Sequence, residues 1–134
     1  MIADLVQFLR ARLDEDEQAA SKAAALCGCH PAAPAWAFGD EETGGRILVV
    51  DDPHPDLKRR LGRRWNGSYE GMFSAEHIAR HDPARVLAEV DAKRQLLDMY
   101  EEGIQVEQFV LKEALRAFAA AYGDHPDFRE EWRP

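Results

Sequence analysis

Cysteine is scarce in this sequence, which has only Cys27 and Cys29 among 134 residues. No run of apolar residues approaches the length that a membrane-spanning helix needs. The N-terminus has acids where a secretory signal has its basic start, and it lacks an apolar core. Without a secretion signal a structural disulfide is not expected, so we expect a cytoplasmic protein that makes no membrane contact.

The motifs that mark the common enzyme classes are also missing. The glycines form neither GxxxxGK[ST] nor GxGxxG, so the sequence offers no nucleotide-binding loop. The serines lack the context of a nucleophile elbow, and no pair of acids stands out among the many carboxylates. We therefore expect no enzymatic activity, no catalytic residue and no cofactor.

The residues that are present suit a folded protein. About 46% are hydrophobic and 31% are charged, and the net charge is −8. This composition is typical of one folded domain over residues 1–134 rather than of a disordered chain. The acidic balance argues against whole-surface binding to nucleic acid, which is unlikely as a partner but not excluded.

The first segment, residues 1–26, is predicted to be a helix. Its apolar residues recur at helical spacing: Ile2, Leu5, Val6, Leu9 and Leu13. After Leu13 an acidic run and an alanine-rich stretch follow. The second half of this helix is either solvated or packed against small neighbours.

The middle segment, residues 35–73, is predicted to contain β-structure. Residues 35–38 favour a short strand, and Ile47 to Val50 form the best strand signal in the chain because they are contiguous and mostly β-branched. The two strands predict a hairpin, and a third strand around residues 68–73 would make a three-stranded sheet.

Residues 74–122 are predicted to be helical. Ser74 can cap a short helix, and Asp82 with Pro83 is a favourable start for a longer one. Gly103 predicts a bend, so this region is either a helical hairpin or one long helix. Residues 123–134 form a polar tail with two aromatic anchors, Phe128 and Trp132. The predicted fold class is α+β, mainly α.

The strand Arg46 to Val50 followed by Asp51 and Asp52 is similar to the first strand of a receiver domain, where paired acids hold Mg²⁺. A receiver domain needs several further strand–helix units, yet the following residues favour helices. A core strand that ends at Asp-Asp-Pro is the better interpretation.

A zinc site is the second candidate. Two cysteines and two histidines supply the donors of a tetrahedral site, namely Cys27, Cys29, His77 and His81. The histidines are four residues apart, which places both on one face of a helix. The spacing CxC is tighter than the usual CxxC, so the alternative is free cysteines at a helix end and surface histidines.

A basic segment is the third candidate. It combines five cations with an indole: Lys58, Arg59, Arg60, Arg63, Arg64 and Trp65. Such a segment can bind phosphates and stack on a base, as in a nucleic-acid or nucleotide-binding accessory protein. Because the net charge is −8, pairing with the acidic runs of this chain or of a second copy is the favoured interpretation.

Three blocks of the sequence resemble a known family. DLVQFLRARLDEDE, AEHIARHDPARVLAEVDAKRQLLD and YGDHPDFREEWRP are similar to the actinobacterial and actinophage family known as domain of unknown function 6221. Members commonly carry Gly-Pro-Trp after the first helix, whereas residues 33–36 here read Ala-Pro-Ala-Trp. The central block is also similar to the phage Ea22-like proteins.

The resemblance implies a bacterial or phage accessory protein and supplies no catalytic residue. It also implies that the residues around the Asp82-Pro83 helix start form a shared feature. Either this feature is only a helix N-terminus, or its cations line an anion or partner site: His77, Arg80, His81 and Arg85.

The apolar faces of residues 83–122 carry more large side chains than one short hairpin can cover. We therefore expect a non-catalytic interaction or regulatory protein that forms a homo-oligomer through these helices and binds a protein partner.

Overall fold

The computed structural model describes residues 2–25, 34–39, 47–50 and 76–134. Within these ranges the protein is mainly helical with one pair of short strands, so the predicted α+β, mainly α class is confirmed. The helices are α1 (Ile2–Ala24), α2 (76–80), α3 (Pro83–Glu102) and α4 (Gln105–Ala119), and the strands are β1 (Trp36–Phe38) and β2 (Ile47–Val49). Short 3₁₀ turns lie at Ala120–Tyr122 and Glu130–Trp132.

Helix α1 carries the apolar stripe that its sequence predicts. Leu5, Leu9 and Leu13 are each almost fully buried, because residues three and four apart fall on one helix face. The stripe continues through small residues, since Ala20 and Ala24 are also buried. The second half of α1 is therefore packed along an alanine edge rather than solvated all round.

The chain forms two compact units, and the first comprises residues 1–16 and 89–134. Here α3 lies antiparallel to α1: Arg10 pairs with Asp98 at 2.8 Å, and Asp14 pairs with Arg94 at 2.7 Å. Arg10 also contacts Glu101, and hydrogen bonds to the two carboxylates raise its pKa.

Helix α4 folds back, so residues 83–119 form the helical hairpin rather than one long helix. Only Gly103 and Ile104 separate its two arms. The side-chain amide of Gln108 donates to the carbonyl oxygen of Tyr100 at 3.1 Å, which ties the two arms beside the turn. The core of this unit includes the buried residues Leu5, Leu9, Val90, Leu97, Leu115 and Ala119.

The C-terminal tail, residues 123–134, returns along α1. Arg129 pairs with Asp4 at 2.8 Å, and hydrogen bonding to this guanidinium lowers the pKa of the Asp4 carboxyl. The Trp132 ring lies 4.9 Å from that of Phe8 and is buried. Arg116 of α4 donates to the carbonyl oxygen of Glu131 at 3.3 Å, so the end of the tail is held against both helices.

The second unit comprises residues 17–88. Strands β1 and β2 pair antiparallel, with Trp36 opposite Val49 and Phe38 opposite Ile47. Ile47 is buried and packs with Ala79 of α2 and with the half-buried Trp36. The proposed third strand at residues 68–73 lies outside the described residues, and the prediction of a single domain stays a prediction.

The start of α3 is built as the sequence predicts. One carboxylate oxygen of Asp82 accepts from the Arg85 backbone N–H at 2.8 Å, and Pro83 is the first helical residue. The other oxygen accepts from the backbone N–H of Trp36 at 2.9 Å. Asp82 therefore caps a helix and anchors a strand at once. Among the described helices, none is long and apolar enough to cross a membrane.

Candidate functional site: an apolar surface at the hairpin tip

The hairpin turn has a glycine at position 103, where no side chain would fit. A Cβ on this residue would lie 2.7 Å from the carbonyl oxygen of Met99, well inside van der Waals contact. Helix α4 then starts from Ile104, whose backbone N–H donates to the Glu107 carboxylate at 3.1 Å. This reach-back bond satisfies a donor that the first helical turn leaves free.

Large apolar side chains surround this turn and remain in solvent. Val106 and Phe109 are each 73% exposed. The full set comprises Met99, Ile104, Val106, Phe109 and Val110, called the tip surface below. Three of these residues line a shallow groove of about 510 Å³ with Gly103, Leu111 and two glutamates, Glu102 and Glu107.

The tip surface arises because α4 has two apolar faces. Leu115 and Ala119 belong to the face that enters the core. Val106, Phe109 and Val110 follow the spacing i, i+3, i+4 and form a second stripe in the first turns of the helix. An apolar stripe at this spacing is the form in which one helix presents itself to another.

The size of the tip surface reaches the upper end of what a typical monomer shows. Its five side chains expose on the order of 500–600 Å² together, against about 300–600 Å² for the largest apolar patch on a typical monomer. Patches of this size are often functional, and this one carries the charged groups Glu102 and Glu107.

The sequence predicted self-association through the C-terminal helices but did not find this set. Ile104 follows the same helical spacing as the buried Leu115, yet Ile104 is 68% exposed. The sequence signal that could have identified them is the group of apolar residues Val106, Phe109, Val110 and Leu111. Together these residues cover more of the helix circumference than one buried face can use. Only the path of the hairpin shows which of these residues are left outside.

Most of the residues proposed from the sequence lie elsewhere. The basic segment Lys58–Trp65 and the cysteines Cys27 and Cys29 are outside the described residues. His77 and Arg80 are on α2, His81 follows it, and Arg85 is in the first turn of α3; all four are exposed. The two histidine rings are together, with centroids 4.5 Å apart.

Arg80 faces Glu76, one helical turn away, with 3.5 Å between their charged atoms. Of the four residues proposed around the helix start, the two histidines therefore lie side by side, and Arg80 has an acidic neighbour. In the part of the chain that the structure describes, no three or more His, Cys, Asp or Glu side chains are grouped to hold a metal ion.

The structure also brings together a group of polar residues that the sequence did not predict. Arg12 is buried on α1, donates to Glu15 at 2.9 Å and contacts the ring of His125. The hydroxyl of Tyr122 donates to Asp16 at 2.6 Å. Burial and then this bond raise the pKa of the Tyr122 phenol.

These polar residues lie among rings of the tail cluster, which comprises Phe8, Tyr122, His125, Phe128 and Trp132. The Arg12 guanidinium lies 5.2 Å from the centroid of the Phe8 ring. The Arg12 side chain is only 8% exposed, and its contacts help to fasten the tail to α1.

The comparison with protein families gives one match. The model of a family of unknown function, DUF6221, matches residues 2–134. No curated protein and no solved structure matches the chain.

Proposed function

The chain belongs to the family of unknown function DUF6221, and from the surfaces described above we propose that it is a non-catalytic interaction protein that self-associates through the tip surface. The observation that carries the proposal is the exposure of Met99, Ile104, Val106, Phe109 and Val110 around one turn. The cost of leaving these side chains in water is removed when they are buried against another apolar surface.

A second copy of this chain is the occupant that fits the area. A patch on the order of 500–600 Å² on each copy buries about 1,000–1,200 Å² in total when fully covered, which only reaches the lower end of specific protein interfaces. A two-fold arrangement brings the same patch of both copies together, so no complementary surface is needed elsewhere. We expect a dimer that dissociates in the micromolar range and acts as a cytoplasmic accessory protein of bacterial or phage origin.

Sedimentation equilibrium across protein concentrations tests the proposal. Wild-type protein is expected to shift from monomer to dimer, and Phe109→Asp or Val106→Asp is expected to remain monomeric, because a buried carboxylate is strongly unfavourable. Both positions are exposed in the monomer, so the helical circular dichroism and the unfolding midpoint of the monomer should be retained.

The matched control is Ala121→Asp, which adds the same charge at an exposed position beyond the far end of α4. This variant should dimerise like the wild type. A wild-type protein that stays monomeric at high concentration would refute self-association. A dimer that survives both tip variants would place the interface on another surface.

A further inference from the structure

A second exposed group that could bind a ligand is the pair of histidines His77 and His81. It lies in the unit formed by residues 17–88. The backbone N–H of His81 donates to the carbonyl oxygen of His77 at 3.1 Å. This bond closes one helical turn, so the two side chains leave the backbone in the same direction. Their ring centroids are 4.5 Å apart and the ring planes are inclined by 41°.

The turn that carries the pair is fixed from its opposite side. Ala79 points away from both histidines and is buried against Ile47. Immediately after His81, the Asp82 carboxylate is bound at both oxygens by the backbone N–H groups of Trp36 and Arg85. The backbone under the histidines is therefore held in place, while the rings themselves face solvent.

The separation of the two rings is close to what one metal ion requires of two imidazoles. With metal–nitrogen distances of about 2.0–2.1 Å and a near-tetrahedral angle, two rings on one ion have centres roughly 5 Å apart. The observed 4.5 Å is close to this separation. The backbone that carries both rings is held by the Asp82 hydrogen bonds, and a pair on a fixed backbone binds more tightly than two independent side chains.

We infer that His77 and His81 chelate one divalent transition-metal ion per chain. Imidazole nitrogen suits the late first-row ions, with Cu²⁺ bound most tightly and Ni²⁺ and Zn²⁺ less so. The Asp82 oxygens are already engaged by backbone donors, so the described residues supply two ligands and solvent completes the coordination. Because the ion binds the folded turn, it stabilises the start of α3 by an amount that grows with the logarithm of its concentration above the dissociation constant.

Calorimetric titration of the full chain with Ni²⁺ or Zn²⁺ alone, with the cysteines kept reduced, tests this site. The wild type is expected to bind one ion per chain and to gain thermal stability as the ion is added. His77→Ala and His81→Ala are each expected to weaken binding by about tenfold or more, because a single imidazole remains. The gain in the unfolding midpoint should disappear in both variants.

Two controls make the outcome decisive. His54→Ala removes a histidine that is not part of the pair and should bind like the wild type. The double change Cys27→Ser with Cys29→Ser should do the same, and if it abolishes binding, a four-ligand Cys/His site replaces the two-histidine site. Binding that is unchanged in both His77→Ala and His81→Ala overturns the inference, provided that circular dichroism shows the helices intact.

Discussion

In the first unit of the molecule, one group of large apolar side chains is buried by the C-terminal tail and another stays exposed. At one, the tail cluster, residues 123–134 fold back and bury Trp132 against Phe8. At the other, the tip surface, Val106 and Phe109 stay 73% exposed. Both surfaces carry large side chains, although the tail cluster consists of rings and the tip surface is mostly aliphatic.

The difference lies in what else each surface contains. The tail cluster is supplied with polar partners, including the Arg129–Asp4 pair at 2.8 Å and the Tyr122–Asp16 hydrogen bond at 2.6 Å. These interactions fix the covering segment in one position. The charged groups that line the groove of the tip surface are Glu102 and Glu107. The tail cluster is therefore covered by a segment of the same chain, whereas the tip surface stays exposed to solvent.

Replacing one ring on each surface tests the comparison most strongly. Trp132→Ala is expected to lower the free energy of unfolding by about 3–5 kcal/mol, because it leaves a cavity beside Phe8. Phe109→Ala, its matched control, should change the stability of the monomer by less than about 0.5 kcal/mol. Urea denaturation at a low protein concentration measures both, and equal losses would show that the tip is covered in the monomer.

Gly103→Ala addresses the turn that creates the tip surface. Its Cβ would meet the Met99 carbonyl oxygen at 2.7 Å, so we expect a loss of about 1–3 kcal/mol as the turn is displaced. Gly123→Ala is the control, since its Cβ would lie 3.2 Å from the nearest backbone oxygen and should cost less. A Gly103→Ala variant as stable as the wild type would mean that the hairpin turn adapts without strain.

The smallest expected effect concerns Tyr122 in the tail cluster. Tyr122→Phe removes the bond to Asp16 and should cost about 0.5–1.5 kcal/mol at neutral pH. Because the pKa of the phenol is raised in the folded state, its contribution is complete below the unfolded pKa of about 10 and is lost as the pH rises beyond that value. Denaturation between pH 8 and 11 should therefore show a shallower decline for the variant.

Asp16→Asn provides the intermediate case, since it keeps an acceptor but removes the charge that opposes ionisation. Its alkaline decline should fall between those of the wild type and Tyr122→Phe. An identical slope in all three proteins would assign the decline to other groups.

Much of the fold could be read from local patterns. The leucine spacing predicted α1, the β-branched run predicted β2, and Asp82 followed by Pro83 predicted the start of α3. Each of these depends on residues within a few positions of one another. Arg12 shows where such reading fails, because its burial depends on His125, 113 positions away.

Of the two candidate sites, one could be predicted from local spacing and the other could not. The spacing of His77 and His81 placed them on one helix face, and the structure brings their rings together. The tip residues were not identified, since Ile104 and Leu111 share a spacing that fits one face although only Leu111 is partly buried.

The sequence by itself determined helix α1, strand β2, the start of α3 and a bend at Gly103, because propensity, capping and the lack of a Cβ act over a few residues. Only the tertiary structure decided that α4 folds back beside α1 and that the tail covers Phe8 while Phe109 stays in water. Burial of that kind is set by the three-dimensional path of distant segments, which no local pattern records.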